Sequence, residues 1–363
     1  MVRRFLASIA LLGLCSGGAV ARDVRVPAEP GRAQSLFESG QVQPGDRVIL
    51  ENGRHGSLTI AGRRYRPPVV VAADAGARPI VDQLTIDKVA GLHVQGLTIL
   101  PMPGMRGKDA LVRVQSDGDV HLERLTVASA QTQDGWSRRT WRETARNGVS
   151  LGGRDVALTN SFIRIVGHAI VAAADGARVE NNFVELFAGD GIRGLGDDSV
   201  YRGNTVETCV DVDDNHDDGF QSWSRGKDGK AGSGVVRNVA VENNVIRNGN
   251  HPFACKLQGI GLFDGIYEDW TIRNNTVVVD HWHGITVMGA RRVSVIGNTV
   301  VDARPGNPGP PWISVTAHKD GRPAIGSVVA GNRVERRTVG GDGDFRLPQP
   351  GVQVSGNRTG WRP

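Results

Sequence analysis

The chain has 363 residues, a formal net charge of +5, 49 glycines and only 5% aromatic residues. Lysine is confined to Lys88, Lys108, Lys227, Lys230, Lys256 and Lys319, so the basicity is almost all arginine. This suits a polyanionic partner, but no nucleic-acid motif accompanies it. Phe5 to Leu14 is too short to span a bilayer, and no other long apolar run follows, which argues against a membrane span.

In chain order, Arg3 and Arg4, the apolar run and Ala19-Val20-Ala21 form a secretory leader over 1–21. A secreted or periplasmic protein, acting as a monomer, is the expectation. Without those two arginines the charge falls to +3. Cys209 and Cys255 remain; export permits a disulfide, and the sequence leaves open whether they pair. Ala33 to Ser39 is a candidate short helix covering an open core, and Pro44 to Leu50, followed by Gly53, a first strand. The stretches 82–100 and 112–127 read as early coils.

From there a repeat dominates. Short β-branched runs recur around Asn160, Asn182, Asn204, Asn244, Asn275, Asn298 and Asn332. The first two intervals are 22 residues each, and Asn275 to Asn298 is 23. A coil of this length, built of short strands and turns, predicts an all-β parallel β-helix solenoid of roughly ten coils with an N-terminal cap. A β-propeller would need roughly twice the period. The helix should occupy 22–340, with a Pro/Gly loop over 305–311 and an irregular tail over 341–363. Asn160, Asn182 and Asn204 are expected to stack at one corner.

Register follows from counting. His168, Asp190 and His283 lie 8 residues after their asparagines; Asp218 and Gln258 lie 14 after theirs. Two consecutive coils therefore share a six-residue bulge at one corner. Asp190, Asp218, Gln258 and His283 should form a polar column, with His216, Lys256 and His281 two residues earlier on the same side. Asp211, Asp213, Asp214, Asp217 and Asp218 crowd into eight residues. Such carboxylates repel unless a cation joins them, and oxygen ligands suit Ca2+.

Asp217-Asp218-Gly219-Phe220-Gln221-Ser222-Trp223, with Lys256-Leu257 after Asn248-Gly249-Asn250, resembles the pectate lyases of polysaccharide lyase family nine. The strand at 44–50 resembles the opening strand of the pectate-lyase-like β-helix superfamily. The resemblance implies a right-handed parallel β-helix, calcium on Asp217 and Asp218 with Asp190 and Gln221 nearby, and Lys256 as base. Gln221 stands where the family has an acidic ligand, and Gln258 replaces the first glycine after Lys-Leu.

The implied chemistry is β-elimination on an acidic, uronate-containing polysaccharide. A base takes the C5 proton while positive charge neutralises the adjacent carboxylate. Arg193, Arg225 and Arg247 are candidates for that charge, with Trp223 or Trp282 stacking on sugar. His216, His281 and His283 are further acid–base candidates. A C5-epimerase, a glycoside hydrolase using the Asp190, Asp217 and Asp218 carboxylates, and a non-catalytic carbohydrate binder remain open on the same fold.

Overall fold

The computed structural model describes residues 21–105, 107, 109–228, 230–304, 309–335, 345–346 and 351–360. Most of the expected leader therefore lies outside the described residues, as do 305–308 of the Pro/Gly loop. No helix among the described residues is long and apolar enough to cross a membrane.

The chain winds as stacked rungs in which every named strand pairing is parallel. Three faces result. The first runs through Val149–Gly153, Ile170–Ala172, Ile192–Gly194, Asp218–Trp223, Gln258–Asp264, His283–Met288 and Trp312–Thr316. The second continues from Val156–Thr159 to Val352–Ser355. The third carries twelve strands among the described residues, from Gly53–Arg54 to Arg358–Thr359. In the early coils one long strand, such as Leu84–Gln95, bends round the corner and serves both of the first two faces. Residues 351–360, expected to be irregular, add a rung: Val352–Ser355 pairs with Ser327–Ala330 and Arg358–Thr359 with Arg333–Val334.

Inward side chains pile into one apolar cluster from Val26 to Val334. A single column shows the principle. Val94, Leu122, Leu158, Val179, Tyr201, Val241, Ile272 and Val295 are successive register partners, and all are buried. Each rung supplies one inward residue at this height, so no rung can bury its apolar side alone. The helix Arg32–Glu38 plugs the N-terminal end with Ala33 and Phe37.

A polar ladder runs at the corner before the third face. Asn182, Asn204, Asn244, Asn275, Asn298, Asn332 and Asn357 stack, each Oδ1 accepting from the backbone N–H and the Nδ2 of the asparagine one rung earlier at 2.9–3.0 Å. The rung of Asn160 departs from expectation. Ser161, not Asn160, occupies the ladder and donates its N–H to Asn182 Oδ1 at 3.0 Å. Asn160 stands one residue earlier, in a left-handed position (φ 51) shared by Asn181, Asn243 and Asn274 and by Gly203 and Gly297. Asparagine serves both columns for different reasons: one needs an amide, the other tolerance of positive φ.

This separates the two classes by experiment. Asn244→Ala strips the partner from Asn204 N–H and Nδ2, and should cost about 2–4 kcal/mol in urea denaturation, at roughly 1–3 kcal/mol per buried unpaired group. Asn160→Gly should be neutral to within about 0.5 kcal/mol, because glycine enters the left-handed region freely. Equal losses at the two positions would contradict this assignment.

Candidate active site

The outer surface of the first face carries the column counted from the sequence. His168, Asp190, Asp218, Gln258 and His283 are successive partners, and Trp312 extends the series. Trp312 was not anticipated, because the insertion before it breaks the spacing. Three residues after Asp190, Asp218, Gln258 and His283 lie Arg193, Gln221, Gly261 and Thr286 in register, and Thr286 pairs in turn with Ser314, two residues after Trp312.

Asp190 and Asp218 are fully buried on this outer face. Asp190 accepts from the Nε of Arg193, and its Oδ1 receives the Asp218 backbone N–H at 3.0 Å. Its own N–H donates to His168 Nδ1 at 2.8 Å. Burial and Arg193 hold the His168 imidazole below its usual range. Asp218 Oδ2 accepts from Gln221 Nε2 at 2.8 Å and faces His216 Nδ1 at 3.4 Å. Burial pushes the Asp218 carboxyl up and outweighs His216, whose own affinity for a proton rises through its hydrogen bond to Asp218. Asp218 Oδ1 and Gln258 Oε1, neighbours in the column, are buried acceptors without a hydrogen bond. A donor from substrate, or a proton held on Asp218, would satisfy them.

The side chains expected to hold calcium have other partners in this structure. Calcium takes roughly six to eight oxygen ligands. Here a guanidinium stands on Asp190, and Gln221 offers Asp218 its amide N–H rather than its carbonyl. Asp217 turns the other way: its Oδ2 lies 3.6 Å from Cys209 Sγ, and Asn215 Nδ2 donates to its Oδ1 at 3.1 Å. Among the described residues, the oxygens of Asp190, Asp217 and Asp218 do not come within 4.8 Å of one another as a trio.

Lys256 is exposed and holds no hydrogen bond or ion pair among the described residues. His281 is half-buried, and burial, then the charges of His216 and Lys256, push it down to about 4. The three side chains expected two residues before the column therefore share one electrostatic neighbourhood. His281 stacks on His283 with ring centres 5.2 Å apart, and His283 Nδ1 meets Thr286 Oγ1 at 2.9 Å. Trp282, 43% exposed, stacks with Trp312 at 6.3 Å and an interplanar angle of 12°.

Phe263 was not anticipated. Its ring packs edge-on to His283 at 4.9 Å and to His216 at 6.3 Å. Gly261 makes this possible: a Cβ there would stand 2.4 Å from the Phe263 ring and 2.5 Å from Asp218 Oδ1. Of the other candidates, Arg247 is paired with Glu207 on the third face, and Arg225 lies over the Trp223 ring at 5.4 Å.

The two bulges counted from the sequence build the wall of the site. Cys209, just before the first, and Cys255, in the second, form a disulfide with Cα atoms 5.5 Å apart. A second apolar cluster, with Trp141 of the helix Arg138–Thr144 at its centre, gathers Val210, Val212 and Phe253. Asn248 Nδ2 donates to Cys255 O at 2.7 Å and to Asp280 Oδ1 at 3.1 Å. His216 and Lys256 thus project from loops fastened at their bases.

No family model matches the sequence, and no curated protein does. Solved structures do match. The A-module of the Azotobacter vinelandii mannuronan C-5 epimerase AlgE6 superposes with a TM-score of 0.54 at 16% identity, covering 92% of this chain and 95% of that one. The Dettilon tailspike protein gives 0.56 at 15%, covering 90% and 66%. The PL6 family alginate lyase AlyGC gives 0.53 at 12%, covering 93% of this chain, which spans about half (51%) of that one. The chain is a right-handed parallel β-helix. At these identities the likeness concerns the fold, and the chemistry must be argued from the β-helix's own residues.

One consequence is measurable at Asp217. Burial, ahead of the neighbouring carboxylates, pushes its carboxyl up to about 8. A group with a raised folded-state pKa contributes stability that is complete below its unfolded value, near pH 4, and lost as pH climbs to about 8. Asp217→Asn cannot ionise. It should unfold later than the parent at about pH 9, by about 1 kcal/mol or more, and match it at about pH 4. Calorimetric melting at both pH values checks this; an unchanged difference between them would refute it.

Proposed function

We propose that the chain is a polysaccharide lyase cleaving an acidic, uronate-containing polymer by β-elimination. The observation that carries the reading is a set of opposed proton affinities on one outer face. His216 is raised by its hydrogen bond to Asp218, whereas burial, then the charges of His216 and Lys256, push His281 down to about 4. Groups whose environments drive their proton affinities apart are suited to acid and base roles in one reaction. Arg193, anchored by the buried Asp190, supplies fixed positive charge, and the Trp282–Trp312 pair offers a flat apolar surface for a sugar ring.

In this reading the substrate carboxylate lies towards Arg193, which stabilises the negative charge that grows on it as C5 loses its proton. Lys256 is the group that takes that proton. The electron pair forms the C4–C5 double bond and the C4–O bond breaks, with protonated His216 supplying the proton to the departing oxygen. The likeness to the mannuronan epimerase module and to an alginate lyase supports uronate substrates. The disulfide supports action outside the cytoplasm. A second reading, C5-epimerisation, is favoured by the mutual coverage with the epimerase module; it begins with the same abstraction and returns a proton to C5 instead of breaking the C4–O bond.

A panel of polyuronates, assayed with and without chelator, tests this through the ultraviolet absorbance of an unsaturated uronate. Product should appear and persist in chelator, since Arg193 rather than calcium carries the charge role. Lys256→Arg keeps the charge but should lose roughly a hundredfold or more in turnover, as expected on losing a positioned base. A near-normal Lys256→Arg with an inactive His281→Gln would move the base to His281. Solvent deuterium appearing at C5 without absorbance would favour the epimerase, and no change in any polymer would sink both.

A further inference from the structure

The second face, away from the groove, carries a cluster that the lyase reading leaves unused. His93 and His121 are direct register partners on adjacent rungs, in the strands Leu84–Gln95 and Val112–Glu123. Their rings stack with centres 4.5 Å apart and 11° between planes. Stacking at rung spacing points both Nε2 atoms the same way, and one carboxylate oxygen meets them. Asp119 Oδ1 lies 3.5 Å from His93 Nε2 and 3.4 Å from His121 Nε2. All three ligand atoms fall within 4.8 Å of one another.

We propose that His93, Asp119 and His121 form a binding site for a transition-metal cation of the zinc type, clipping two adjacent rungs together. Two observations support it independently. First, metal–ligand bonds of about 2.0–2.1 Å in a tetrahedral site put neighbouring ligand atoms about 3.3–3.4 Å apart, close to both nitrogen–oxygen separations here. Second, His93 Nε2 is buried and makes no hydrogen bond, so the atom best placed to bind a cation has no competing partner.

Two imidazoles and a single carboxylate oxygen suit zinc, cobalt, nickel or copper rather than calcium or magnesium. Ligation needs neutral imidazole, so binding should weaken as the pH falls. Three protein ligands leave a fourth position for water, as the partial exposure of the cluster allows.

Calorimetric titration of Zn2+ into the chelator-stripped full chain should show one saturable site outside the groove. Cobalt(II) at that site should give a visible absorption band of tetrahedral intensity. His93→Gln, His121→Ala and Asp119→Asn each delete a direct ligand, so each should weaken binding by more than the roughly 10–100-fold that loss of an outer-shell partner costs. Their side chains lie on the outer surface, and circular dichroism would confirm that the variants fold. His281→Ala, in the groove, should leave this affinity unchanged. The proposal is overturned if the wild-type chain binds no Zn2+ and gives no cobalt band, or if affinity is unmoved by the three ligand variants and falls with His281→Ala.

Discussion

An asparagine Oδ1 that accepts from two donors on the neighbouring rung is what sets the height of every rung from Asn182 to Asn357. The backbone ladders on the three faces would tolerate a slip of one residue in hydrogen-bond count, but such a slip would send every inward side chain outward. The amide stack forbids it, because the Nδ2 of each asparagine also binds a carbonyl near the corner, as Asn204 Nδ2 binds Val179 O at 2.8 Å. Long insertions between rungs are therefore harmless to register. The 40 residues from Asn204 to Asn244 return to the same corner as the 22 from Asn182 to Asn204.

That tolerance lets a rigid floor and variable loops be built from one repeat. The outer positions of the first face are fixed in height by the ladder, so Asp190 and Asp218 can be held fully buried and close together without local flexibility to relieve them. Isolated, this would be costly, since buried carboxylates must be paired or protonated. Arg193 and the Asp218 N–H answer for Asp190, while Asp218 leans on Gln221, His216 and a raised proton affinity. Unequal partnership between two neighbouring carboxylates is an arrangement that chemistry can exploit more readily than structure needs it.

How much of this was readable in the sequence follows from what each signal encodes. Periodicity gave the fold, because an asparagine at a fixed interval records a constraint repeated in every rung. The same signal misled at Asn160, where two asparagine-tolerant columns lie side by side and serine filled the ladder. The column from His168 to His283 was nonetheless recovered, because the rung of Asn160 also lacks one residue between Val166 and His168 relative to the next. The side chains named for calcium take other partners here for a reason no linear pattern shows. Asp217 and Asp218 are adjacent and face opposite ways, one to the disulfide and one to the groove, while Arg193, three residues past Asp190, folds back onto it. Phe263 was invisible because its position depends on the missing Cβ of Gly261.

The loops explain why the acid–base side chains need not lie on the strands. His216 and Lys256 stand on the two bulges, and a bulge free at both ends would scatter its side chain over several ångströms, which acid–base catalysis does not tolerate. The disulfide between Cys209 and Cys255 shortens both free lengths at once, fixing the residue immediately before Lys256 to the rung below. Asn248 holds the same peptide from the other side, with Asp280 buried behind it and Arg304 3.5 Å from that carboxylate. Trp141 and its neighbours fill the space outside. What the ladder does for the floor, the disulfide and this small second core do for the wall: each converts a repeat that could accept almost any loop into one that holds a particular loop still.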